Sequence, residues 1–172
     1  METLHSSKLS SASRSLMSNE EQQTSKLSNA SRSLISSEAQ QTSDTRREQG
    51  ALGEALAESY LLSQGYLLEA KNWRGTRGEL DLVMCLEDIL VIIEVRSTSK
   101  AWLERPCEAT SPRKQRQVAR CADEYISQRP AQFSSFTHIR FDVIGILIPN
   151  LHQPSEYQID HVENAFSSPW AY

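Results

Sequence analysis

Two short segments put four charges into what otherwise reads as a fully buried hairpin. They are Gly78-Glu79-Leu80-Asp81-Leu82-Val83 and Ile92-Ile93-Glu94-Val95-Arg96. Side chains alternate along a strand, so Glu79 and Asp81 share a face, as do Ile92, Glu94 and Arg96, and pairing of the two strands would bring all four charges to a single face. If Glu87-Asp88 forms a tight turn, paired positions add up to 175. Asp81 then lies across from Glu94, and Glu79 across from Arg96. Directly opposed residues stand about 5 Å apart at Cβ, and like charges there are destabilising. A divalent cation between the two carboxylates is the simplest relief. The alternate positions Leu80, Leu82, Met84, Ile89, Val91, Ile93 and Val95 are apolar. A strand pair apolar on both faces belongs to a sheet covered on both faces.

The rest of the chain divides in two. Residues 1–45 hold 14 serines and no Val, Phe, Tyr or Trp. Such a segment cannot bury enough apolar surface to offset the entropy of ordering, and it reads as a disordered tail. Ser7–Thr24 recurs as Ser25–Thr42 with 14 of 18 positions identical. If helical, Leu9, Leu16, Leu27 and Leu34 would fall nearly on one line, a pattern that suits docking on a protein partner. The acids Glu2, Glu20, Glu21, Glu38 and Asp44 argue against a transit peptide. Residues 46–172 have the composition of one globular domain.

Charge and cysteines exclude several classes. The formal net charge of −4 means that any nucleic-acid surface must be a local patch. Cys85, Cys107 and Cys121 form no CxxC pair, which points to reduced thiols in a cytoplasmic protein rather than to zinc or a disulfide framework. The longest apolar run, around Val143–Ile148, is far short of the ~18 residues of a membrane span, and no signal-peptide pattern opens the chain.

Periodicity supplies the order of elements. Leu52, Ala55, Leu56, Ser59, Tyr60 and Leu62 recur at helical spacing over 46–64, and Gly65 suits the helix end. Tyr66–Trp73 reads as a strand, Arg74–Gly78 as a turn, and the charged hairpin comes next. Ser111 and Pro112 open a second helix that runs to about Gln128. Its apolar stripe is Val118, Cys121, Ala122, Tyr125 and Ile126, and its basic stripe is Arg113, Arg116, Gln117 and Arg120. Thr137–Ile148 is a further strand, and Tyr157–Phe166 an element of unassigned type. The expectation is an α/β fold with a mixed central sheet flanked by helices.

At these residues the chain resembles a known family. Gly53-Glu54, Asn72-Trp73-Arg74, Arg77-Gly78-Glu79-Leu80-Asp81-Leu82 and Glu94-Val95-Arg96 are similar to motifs of the YraN-type proteins. So are Pro106 with Glu108, Thr110–Gln115, Arg140-Phe141-Asp142-Val143 and His161–Phe166. That family is a branch of the restriction-endonuclease-like, PD-(D/E)xK superfamily. The resemblance spans Gly50–Phe166 and implies an αβββαβ core, the order that periodicity also suggests. It implies Mg²⁺- or Mn²⁺-dependent hydrolysis of phosphodiesters in nucleic acid, DNA above all. Asp81 and Glu94 would hold the metal, with help from the Val95 carbonyl.

Glu54 matches an accessory acid of related nucleases, against the alternative of a solvated acid beside Glu58. Glu79 reads either as a supporting acid or as a partner of Arg96. Arg96 stands where the family's third signature residue is normally Lys. Arg stabilises phosphate charge but does not shuttle protons. The cations Arg74, Arg77, Arg113, Lys114, Arg116 and Arg120 suit a nucleic-acid groove, with phosphate favoured at the helix N-terminus; the plainer alternative is a solvated basic face. Trp73 and Trp102 suit base stacking or, more simply, a core or lid. His138, His152 and His161 show no metal spacing. The expected function is a Mg²⁺-dependent endonuclease-like protein. The alternatives are a non-catalytic nucleic-acid-binding relative and a module that binds a protein partner through its tail. The pattern leaves the oligomeric state open.

Overall fold

The computed structural model describes residues 40–100, 108, 110–153 and 155–168. The tail duplication apart from its last three residues, and Trp102, Pro106 and Cys107, lie outside the described residues. Contacts group Arg47–Tyr172 as one compact unit, which contains the whole sheet.

Helix α1 occupies residues 40–63, so helix is present six residues before the expected start. Its innermost line is Gly53, Ala57 and Leu61, flanked by the partly buried Leu52, Leu56 and Tyr60. The expected stripe is thus rotated: Ala55 and Ser59 face outward and Leu62 is half exposed. Gly53 is the reason. A Cβ there would stand 2.7 Å from the Cβ of Ser97, so only glycine lets the helix come this close to the sheet.

Five strands follow the order of the chain: β1 Leu67–Gly75, β2 Gly78–Leu86, β3 Ile89–Thr98, β4 His138–Leu147 and β5 Gln158–Phe166. The β1–β2, β2–β3 and β4–β5 pairs are antiparallel, and β3–β4 is parallel. A parallel pair needs a crossover. Here it contains helix α2, Pro112–Ser127, and the short helix α3, Pro130–Phe133. This is the mixed α/β sheet flanked by helices that the pattern implies, consistent with a restriction-endonuclease-like core.

The sheet is covered on both faces. Val83, Leu90, Ile92, Phe141 and Val143 pack with Val118, Cys121, Ala122 and Tyr125 of α2. Leu82, Met84, Val91, Ile93, Ile144 and Ile146 pack with Ala57 and Leu61 of α1. Alternation sends successive residues of β2 and β3 to different helices, which is why both strands are apolar throughout.

Two differences concern turns and ends. The β1–β2 turn is only Thr76-Arg77, with Arg74 and Gly75 inside the strand and Gly75 paired to Gly78. The stretch from Tyr157 resolves into an edge strand, with Gln158 opposite Leu147 and Phe166 opposite Phe141. No helix among the described residues is long and apolar enough to cross a membrane.

Candidate active site

The β2–β3 hairpin turns at Glu87-Asp88, with Leu86 opposite Ile89 and Leu82 opposite Ile93. Paired positions add to 175 throughout. The ladder runs no further. From Glu94 on, β3 continues alongside β4, with Glu94 opposite Val143 and Arg96 opposite Gly145. On its other side β2 stays with β1, Leu80 opposite Trp73 and Glu79 opposite Arg74. The two strands part at Asp81 and Glu94. There the Asp81 side chain stands in for the missing backbone partner: Val95 N–H donates to Asp81 Oδ2 at 2.8 Å.

The parting corrects both expected cross-strand pairings, since the ladder ends at Leu82 and Ile93, before Asp81 could pair with Glu94. Glu79 does not face Arg96. Its ion pair is to Arg74 on β1, Nε to Oε2 at 3.4 Å. Arg96 lies instead 3.9 Å from Glu94 Oε1, on its own strand. A pairing extrapolated from the register fails where the ladder carrying that register has ended.

A group from a remote segment reaches the same carboxylate. Lys114 Nζ stands 3.0 Å from Glu94 Oε1. The sequence pattern placed this lysine among the nucleic-acid contacts, but its partner is one of the two candidate metal ligands. Its position is set by the start of α2. Ser111 Oγ accepts from Lys114 N–H at 3.3 Å, Pro112 opens the helix, and Gln115 Nε2 donates to the Thr110 carbonyl at 2.9 Å. Lys114 also precedes Val118 by four residues and Cys121 by seven, so it heads the apolar stripe rather than the basic one. A lysine in line with buried positions was the available signal.

The electrostatics are under-compensated. Glu94 is only 4% exposed. Burial raises its pKa, against the opposing pull of Lys114 and Arg96. The pKa of Asp81 is pushed up to about 7, first by burial and then by the negative charge of Glu94. The Val95 N–H and Lys114 counter only part of this, and Glu54 adds to it. Glu54, partly buried on α1, therefore stands within electrostatic reach of Asp81. Glu58, the acid one turn on, is paired to Lys71 at 2.6 Å.

The other cations gather on α2 and the β1–β2 turn. Arg77, Arg113, Arg116, Gln117 and Arg120 line a hollow of about 420 Å³. A neighbouring hollow of about 530 Å³ shares Arg77 and Arg120. The hairpin turn is held on α2 by Glu124, which accepts from Thr76 N–H at 2.9 Å, Thr76 Oγ1 at 3.0 Å and Arg77 N–H at 3.3 Å. Gly78, at φ 145°, lies under Gln117, whose Nε2 would be 2.6 Å from a Cβ there. Arg74 is exposed on β1, outside these hollows. Trp73 is a packing residue, edge-on to Tyr125 at 5.1 Å.

Among the described residues no three His, Cys, Asp or Glu side chains form a cage for a metal. Asp81 and Glu94 offer a two-carboxylate oxygen set. Mg²⁺ is commonly held by one or two carboxylates, keeping waters and taking further oxygens from phosphate. A partly buried and a buried carboxylate, with a single close cation on Glu94, fit such an ion in chemical type.

Sequence comparison gives a consistent family. The model of the uncharacterised protein family UPF0102 matches residues 53–146. A UPF0102 protein of Chlorobaculum parvum is 35% identical over 119 residues, 68% of this chain and 90% of its own length. One from Bacteroides thetaiotaomicron is 36% identical over 122 residues, 71% of this chain and 94% of its own. One from Clostridioides difficile is 36% identical over 120 residues, 70% of this chain and 97% of its own.

Proposed function

The chain belongs to the UPF0102, YraN-type family, and from the geometry around Asp81 and Glu94 we propose that it is a Mg²⁺- or Mn²⁺-dependent endonuclease acting on DNA. The observation that carries this reading is the parting of β2 and β3 at a partly buried Asp81 and a buried Glu94, with Lys114 of α2 on Glu94 and a hollow lined by four arginines of α2 and the β1–β2 turn.

Asp81 and Glu94 would hold the ion. Bound there, it would acidify water and neutralise charge on the phosphoryl group. The protein's own groups do the rest. The Val95 N–H fixes the Asp81 carboxylate in place. Arg77, Arg113, Arg116 and Arg120 take the phosphate backbone, each neutralised phosphate releasing counterions and making binding salt-dependent. Arg74 extends this basic surface along the hairpin. Arg96, 3.9 Å from Glu94, tempers the charge of the acidic pair. Glu54 supplies a further acid at the α1 side, able to orient water by accepting a hydrogen bond.

One observation favours a rival reading. Lys114 already places a positive charge on Glu94 without any metal. A chain that used this pair only to hold α2 on the sheet would bind nucleic acid and cut nothing. Cleavage assays on duplex, flap, junction and single-stranded DNA, with Mg²⁺ and with Mn²⁺, decide between the two. The proposal expects metal-dependent cleavage of at least one substrate and its loss in Asp81→Asn. A salt-dependent gel shift with no cleavage of any substrate would leave the binding relative. Neither cleavage nor shift would return attention to the tail as a protein-binding segment.

A further inference from the structure

We infer that Lys114, delivered by α2, is the cation that meets the reacting phosphate, in the role for which the strand supplies only Arg96. The inference rests on the nuclease reading. Both cations address the same atom, Glu94 Oε1, but Lys114 is at 3.0 Å and Arg96 at 3.9 Å. Lys114 is the more enclosed, 26% exposed against 41%. Its charge also lowers the pKa of Asp81 as well as that of Glu94, so it stands within electrostatic reach of both acids that would hold the metal.

The chemistry of the head group agrees. An ammonium carries three N–H donors, and Glu94 Oε1 accounts for one. Among the described residues Glu94 is its recorded acceptor, and the remaining N–H groups are those that a phosphate oxygen or water would meet. A lysine head is a compact point charge, whereas a guanidinium is a planar fork. Lys114 acts here as a fixed positive charge and donor, with no proton transfer. Its anchorage suits a preorganised role. The backbone of Lys114 is held by the Ser111 cap, and one turn on Val118 is fully packed in the core. A donor held before the reaction need not be reorganised during it.

The test uses the full chain, a DNA substrate that the wild type cleaves, and single-turnover rates beside Mg²⁺ calorimetry. Lys114→Met should slow cleavage about 100-fold, the scale for loss of one preorganised donor. It should at the same time tighten Mg²⁺ binding about tenfold, because a competing cation leaves Glu94. Opposite movements of rate and metal affinity would not result from losing a merely structural lysine, whose removal should weaken both. Lys114→Arg guards against a folding defect in the first variant. It keeps the charge beside Glu94, and should retain the thermal midpoint while losing at least about tenfold in rate. Arg96→Met should lose less than Lys114→Met. Full rate in Lys114→Arg, or a greater loss in Arg96→Met than in Lys114→Met, would reduce Lys114 to a counter-ion and overturn the inference alone. A wild type that neither cleaves DNA nor takes up Mg²⁺ would overturn the nuclease reading, and this inference with it.

Discussion

The sheet buries carboxylates at two places and treats them in opposite ways. Asp142, on β4, has no exposed surface. Burial opposes its ionisation, yet hydrogen bonds from His161, Arg140 and Asn164 outweigh that and leave its pKa below the usual carboxylate range. Arg140 Nε donates to Oδ1 at 2.9 Å and a terminal nitrogen to Oδ2 at 2.8 Å. His161 Nε2 lies 3.0 Å from Oδ2, and Asn164 N–H donates to Oδ1 at 2.9 Å. Arg140 is itself held by Tyr66 Oη at 2.7 Å and Glu163 at 3.1 Å. The cluster clamps the point where the β4–β5 register shifts between Phe141 and Val143, with Asn164 at φ 49°. At Asp81 and Glu94 the balance runs the other way. Two acids share a lysine and a more distant arginine, and both pKa values rise. A saturated buried charge is a structural clamp. An under-compensated pair is strained alone and has room for another cation.

The largest test of that contrast is a matched pair of substitutions. Asp142→Asn should cost about 3–5 kcal/mol in urea unfolding, because it leaves Arg140 buried with its main partner gone. Asp81→Asn should be neutral or stabilising in metal-free protein, since it removes one of two repelling charges. Equal losses at the two positions would abolish the distinction.

Acid titration sharpens the same contrast, because the two sites have opposite slopes. Asp81 keeps its proton up to about pH 7 in the folded chain, whereas the unfolded chain releases it near pH 4. Between those values the folded state holds more protons, so metal-free stability should fall as pH rises, by on the order of 2 kcal/mol. Asp81→Asn should flatten that slope. Asp142, with its pKa lowered, contributes stability that is present at neutral pH and lost only on acidification below the usual carboxylate range. A flat wild-type profile over pH 4–7 would contradict the strained-pair account.

Metal addition should affect only one site. Mg²⁺ at ten times its Kd should raise the wild-type midpoint by a few degrees, roughly 1.4 kcal/mol of linkage. The shift should vanish in Asp81→Asn and persist, from a lower starting point, in Asp142→Asn. The smallest expected effect is on DNA binding. Arg116→Ala should lower the slope of log Kobs against log salt by about 1, and Arg140→Lys, inside the clamp, should leave it unaltered in gel shifts.

How much was legible beforehand depended on the range of the physics. The β2–β3 register, the Glu87-Asp88 turn and the Ser111-Pro112 helix start are local, set by alternation, chain reversal and capping. They were readable from neighbouring residues. So was the double-sided cover, because strands apolar on both faces can be buried in no other way. What local pattern could not reach was the end of the ladder. Beyond Leu82 and Ile93, β2 keeps β1 as its partner while β3 keeps β4, which pairs with it along its whole length and reaches it only through a crossover. For that reason Glu79 meets Arg74 rather than Arg96. The rotation of α1 comes from the close approach of Gly53 to Ser97, a contact between remote segments. The meeting of Lys114 with Glu94 is of the same kind. Periodicity places that lysine on the buried line of α2, but only the packing of α2 on the sheet decides which carboxylate waits at the end of it.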